Sequence, residues 1–121
     1  MRQIELEQKN IDSFVEFCIR KLSIKKKPKI VQLYTPLSHT EHPTFGSFDP
    51  ENIVVTVYVR NRHIADILRS IGHELVHAAQ NERGLLKSNS GETGSEQENQ
   101  ANAMAGVLMR KFADENPKII F

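Results

Sequence analysis

Ile71-Gly72-His73-Glu74-Leu75-Val76-His77 is the stretch on which the reading of this chain turns. In an α-helix, residues four apart share a face, so His73 and His77 present two imidazoles to one metal ion. Glu74 lies on the same turn, where a carboxylate takes a proton from a metal-bound water. Bare H-E-x-x-H matches also arise by chance, so the flanking sequence must support the reading.

Helical periodicity around the motif spans 62–83, with Asn61 expected as N-cap and Gly84 as the residue beyond the C-cap. Ile64, Ile67, Leu68, Ile71, Leu75 and Ala78 form the core stripe of this helix. His73 and His77 fall on its flank, where ring nitrogens meet a cleft edge rather than packed side chains. Before it, 53–59 is almost wholly β-branched or aromatic and reads as a strand. Residues 45–48 form a second short strand, paired with 53–59 as a hairpin through a turn at 49–52, where Pro50 has φ already set. Gly46 weakens a strand interior and marks a bulge or a close approach of another backbone. A third strand is expected at 29–34. Residues 36–44, which hold His39 and His42, read as loop.

Farther out, Ile11, Phe14, Val15, Cys18, Ile19 and Leu22 recur at spacings of three and four, so 10–22 is a helix with one apolar stripe. Ile4 and Leu6 either extend it or form a short strand. Cys18 falls on the stripe and reads as a small core residue rather than a nucleophile. After the motif, 84–94 is a Gly/Ser/Asn-rich surface loop. A last helix covers 96–114, capped by Ser95 and stopped by Pro117, with Ala101, Met104, Ala105, Leu108 and Phe112 inward. The fold class is α+β: an N-terminal helix, a three-stranded mainly antiparallel sheet, the H-E-x-x-H helix and one following helix.

Composition narrows the function classes. With 121 residues, 39% apolar and 26% charged, the chain describes one globular domain, 1–121, of ordinary make-up. A formal net charge of +1 argues against nucleic-acid binding through bulk electrostatics. Lys25, Lys26, Lys27 and Lys29 form the one basic cluster and read as a solvated loop before a strand. The single cysteine forms no internal disulfide and suits a reducing compartment. No membrane-span-length apolar run and no signal-peptide opening is present, so a cytoplasmic location is expected.

A catalytic zinc site takes three protein ligands and keeps a position for water. Of five histidines, none follows His77, and Gln80 and Arg83 stand where an extended motif has glycine and a third histidine. That leaves a downstream carboxylate: Glu82, Glu92, Glu96, Glu98, Asp114 or Glu115. Stepping back along the inward stripe 112, 108, 105, 101 reaches 98, so Glu98 points to the core side, where a lone carboxylate is costly unless paired or bound to a cation. Glu96 is rotated away. Ser95-Glu96-Gln97-Glu98 also fits a capping box, which this helix alone does not separate from a ligand role. The motif upstream favours the ligand, and Ser95 still caps the helix when Glu98 binds metal. Asn102, one turn beyond Glu98, is placed either to accept a hydrogen bond from a ligand imidazole or to serve as a solvated or helix-packing residue.

His73-Glu74-Leu75-Val76-His77 followed by Glu98-Asn99-Gln100-Ala101-Asn102 resembles the gluzincin metallopeptidases, which carry H-E-x-x-H on one helix and E-x-x-[A/S]-[D/N] on the next. The likeness, over roughly 45–112, is to the short ImmA/IrrE-like and minigluzincin domains of bacteria and phages. It implies a zincin-like fold, His73, His77 and Glu98 as zinc ligands, Glu74 as general base and acid, and Asn102 beside the ligands. It also implies a peptide or protein substrate aligned along the edge strand near 45–48. Larger gluzincins add a His or Tyr from a C-terminal domain to stabilise the oxyanion. Here Tyr34, His39, His42 and His63, all upstream, are candidates by chemistry alone; either one of them serves, or zinc acts alone and the enzyme is slow. The activity expected is zinc-dependent peptide hydrolysis. The alternative is a zinc-stabilised domain that binds a peptide or protein without cutting it, and a third reading is a chance motif without metal.

Overall fold

The computed structural model describes residues 3–34, 45–86 and 95–119. In chain order it contains α1 (Gln3–Lys21), β1 (Lys29–Leu33), β2 (Gly46–Asp49), β3 (Val54–Tyr58), α2 (Ile64–Glu82) and α3 (Glu96–Glu115). This is an α+β fold with the expected order of elements.

β3 is central because its two faces differ. Val55 and Val57 point into the core and are fully buried, while Val54, Thr56 and Tyr58 alternate with them on the half-covered face. β2 pairs antiparallel with β3, from Gly46 opposite Val57 to Asp49 opposite Val54. β1 pairs with the other edge of β3 in parallel, from Lys29 opposite Val54 to Leu33 opposite Tyr58. The sheet is therefore mixed rather than mainly antiparallel. Apolar alternation dictates which face a strand buries, but it is silent on strand direction, so the sequence could not reveal the parallel pair. The hairpin turn is held by Asp49, whose carboxylate accepts from the N–H groups of Glu51 (2.9 Å) and Asn52 (3.2 Å) and from Asn52 Nδ2 (2.8 Å).

α1 starts well before the expected stripe, so 4 and 6 lie on helix, not strand. Phe14, Cys18 and Leu22 are buried as expected, and burial pushes the Cys18 thiol far up, consistent with a core residue. Phe17, outside the expected stripe, is buried too. Phe14 and Phe17 both meet the Phe112 ring edge-on, each with centroids 5.3 Å apart, and this triangle packs α1 on α3. Each ring contributes roughly 1.5–3 kcal/mol by leaving water.

α2 is capped by His63, not Asn61: His63 Nδ1 accepts from the Ala65 N–H at 3.1 Å. Asn61 has φ +55°, a left-handed conformation that asparagine tolerates better than most residues, so it forms the turn before the helix. At the other end, Gly84 takes φ +68°, as a residue beyond a C-cap does. There Glu82 accepts from the N–H groups of Lys25 and Lys26, and Arg83 donates to Leu22 O at 2.7 Å. Those backbone hydrogen bonds hold the Glu82 carboxyl below the usual range and anchor the exposed lysine loop.

α3 packs along α2. Gly72 faces the Ala105 backbone, where an added Cβ would make an ordinary contact 3.5 Å from its Cα. Small residues at this crossing bring the two helices near enough for the first turn of α3 to reach the histidine flank of α2.

Candidate metal centre

His73 and His77 project from successive turns of α2, with ring centroids 4.9 Å apart. Ser95 caps α3 by accepting from the Glu98 N–H at 3.1 Å, which sets the direction in which the Glu98 side chain leaves the helix. Its two oxygens then meet the two rings: Oε1 lies 2.7 Å from His73 Nε2, and Oε2 lies 3.1 Å from His77 Nε2. The capping residue and the inward carboxylate coexist. Glu96 is exposed, and the carboxylate of Glu98 faces the histidines rather than solvent.

The three donor atoms lie within 4.8 Å of one another, a possible metal site and the only such His/Cys/Asp/Glu group among the described residues. Two imidazoles and a carboxylate holding a divalent cation at about 2.0–2.2 Å stand a few ångströms apart, so the spacing suits one ion. The donor set fits it too, since one carboxylate and two imidazole Nε2 atoms face a common point.

Glu74 is 8% exposed and directed toward β2. A Cβ placed on Gly46 would fall 3.2 Å from Glu74 Oε2 and 3.3 Å from its Cγ. The absent side chain at 46 therefore makes room for a carboxylate, whereas the sequence suggested room for another backbone. Burial first, and the charge of Glu98 second, push the Glu74 carboxyl up to about 8. For His73, burial lowers the pKa most. Glu98 opposes that shift, His77 adds to it, and acceptance of hydrogen bonds by Asn102 and Glu98 opposes it. Asn102 is thus near enough to the His73 ring to bear on its charge, while the residue itself is exposed.

Two features at this site escaped sequence reasoning. Gln80, 1% exposed, accepts from His77 Nδ1 at 2.8 Å. Its place one turn after His77 on the same helix was the available signal. Arg62 braces the end of β3 against α2: it donates to Tyr58 O (2.7 Å), Asp66 O (3.0 Å) and Ser70 Oγ (2.7 Å). Its guanidinium also lies 4.7 Å from the centroid of the exposed Phe45 ring.

Of the residues expected as oxyanion groups, Tyr34 is 62% exposed at the end of β1. His63 is engaged as the N-cap, ten residues and so roughly 15 Å along the helix axis from His73. Its place at the far end of α2 does not bring it to the cluster. His39 and His42 lie outside the described residues, as does most of the 84–94 loop. Among the described residues, no helix is long and apolar enough to cross a membrane.

No protein-family model matches this chain, and no curated protein or solved structure does either.

Proposed function

We propose that this chain is a gluzincin-type zinc metallopeptidase acting on a peptide or protein substrate. The observation that carries the reading is the convergence of His73, His77 and Glu98 on one point with the buried carboxylate of Glu74 beside them. Two imidazoles with one carboxylate suit zinc, and the open position such a site keeps suits catalysis. Bound zinc supplies Lewis acidity, polarising a carbonyl oxygen and lowering the pKa of water toward about 7. Glu74 then accepts the proton of the attacking water and returns it to the leaving amine. The outer edge of β2, unpaired among the described residues, offers backbone groups to an extended peptide beside Glu74.

The test is digestion of a peptide library by protein stripped of metal and then reloaded with zinc. Cleavage that appears with zinc and disappears with chelator is the expected result. Zinc-loaded protein that leaves every peptide intact would overturn the peptidase reading in favour of a zinc-stabilised binding domain.

Gly46→Val should separate the two carboxylate roles. A β-branched side chain suits an edge strand, so folding is preserved. An added Cβ meets Glu74 first. Zinc content should be unchanged while kcat falls roughly 10–100-fold, as small misplacements of a catalytic group do. Undiminished kcat would show that this close approach is irrelevant to turnover.

A further inference from the structure

We propose that Gln80 is a positioning residue: it holds His77 in the tautomer that leaves Nε2 free for a cation, and it ties that histidine to the helix bearing Glu98. The argument rests on what each atom around the amide can do. Gln80 Nε2 lies 3.1 Å from the backbone carbonyl of Gln97 and 2.6 Å from Gln100 Oε1. A backbone carbonyl only accepts, so the atom facing it must be the amide nitrogen, and the amide orientation is thereby fixed. Its two N–H donors are then both used on α3.

The remaining atom, Gln80 Oε1, only accepts, and it sits 2.8 Å from His77 Nδ1. A proton on Nδ1 satisfies it, and a cation then finds the lone pair of His77 on Nε2, the atom that faces Glu98; without a cation, Glu98 Oε2 at 3.1 Å competes for a proton on Nε2. The direction of one backbone carbonyl on α3 thus propagates through Gln80 to the donor atom of a histidine on α2.

His77 is held by a fully buried residue of its own helix, whose other contacts grip α3 beside Glu98. Burial makes that hold strict. Any amide rotation would leave polar groups unpaired out of reach of water, at roughly 1–3 kcal/mol each. A plain helix-to-helix clasp accounts for the contacts with Gln97 and Gln100 but has no consequence for the histidine ring, and the two readings part at that point.

This inference rests on the metal-site reading in one respect only, the affinity arm of its test. In metal-free Glu98→Ala protein labelled with nitrogen-15 at histidine, where no carboxylate competes for the Nε2 proton and with the ring neutral, His77 is expected to be protonated at Nδ1. Adding Gln80→Met, a side chain of similar length without polar atoms, should shift the proton toward Nε2, and Gln80→Met alone should lower zinc affinity in chelator competition roughly 10–100-fold. Gln100→Ala, which removes one arm of the clasp and leaves the His77 contact, should keep both the tautomer and the affinity. A ring protonated at Nε2 in the Glu98→Ala protein would overturn the proposal, and so would Gln80→Met proteins with unchanged tautomer and affinity. The tautomer is read without metal, so it decides this proposal even if the wild type took up no zinc, a result that would instead sink the metalloenzyme reading.

Discussion

Glu98→Ala is expected to give a folded protein that no longer retains zinc, while Glu96→Ala retains it like the wild type. The two carboxylates are separated by two residues on the first turn of α3, roughly 200° apart around the axis, and only Glu98 faces the histidines. Removing it leaves two imidazoles, too few for a stable site that also keeps a position for water. Affinity should fall well beyond the roughly 10–100-fold that follows loss of an orienting partner alone. Folding should survive, because Ser95 accepts its capping bond from the backbone N–H of residue 98, which alanine keeps. Alanine also has the better helix propensity, and it relieves a part-buried charge that stands near Glu74. Against this stands the loss of a carboxylate from the helix N-terminus, on the order of 0.3–1 kcal/mol. The check is metal analysis of both variants beside the wild type, with melting temperatures. Zinc retained by Glu98→Ala, or lost equally from both variants, would remove Glu98 from the site.

The parts of this geometry that sequence made legible are those governed by a single helix. Spacings of four and three put His73 and His77 on one flank, and Glu98 in line with Ala101, Ala105, Leu108 and Phe112, which are buried as that line requires. Asn102 follows from the same periodicity. What sequence left hidden depends on how elements meet. The role of Gln80 depends on the Gln97 carbonyl, an atom of the next helix. The approach of Gly46 to Glu74 depends on how the edge strand crosses α2, and the parallel direction of β1 depends on a pairing between strands that are not neighbours in sequence. His63 as cap turned on a backbone choice at Asn61, where capping and left-handed turn formation compete for the same residue type.

Glu74→Gln should keep zinc at wild-type occupancy and reduce peptide hydrolysis by at least the roughly 10²–10⁴-fold that a positioned general base contributes. Glutamine has nearly the same shape as glutamate, so the tight fit beside Gly46 is preserved. It cannot accept a proton from water at any ordinary pH, and the step assigned to residue 74 is lost outright. The donor atoms of His73, His77 and Glu98 are untouched, which is why metal content and turnover should separate here and fall together in Glu98→Ala. The binding-domain alternative makes the opposite forecast. On that reading the buried carboxylate has no proton to carry, and an uncharged amide in its place relieves a desolvation cost. Ligand binding would then be intact and thermal stability unchanged or higher. Single-turnover assays with an excess of zinc-loaded protein decide the matter: hydrolysis by Glu74→Gln at the wild-type rate would withdraw the general-base role. A wild-type rate too low to distinguish from that of the variant would favour the non-catalytic domain. If the role holds, the same carboxylate that makes the metal-free fold less stable is what the edge strand, by lacking a side chain at Gly46, was shaped to admit.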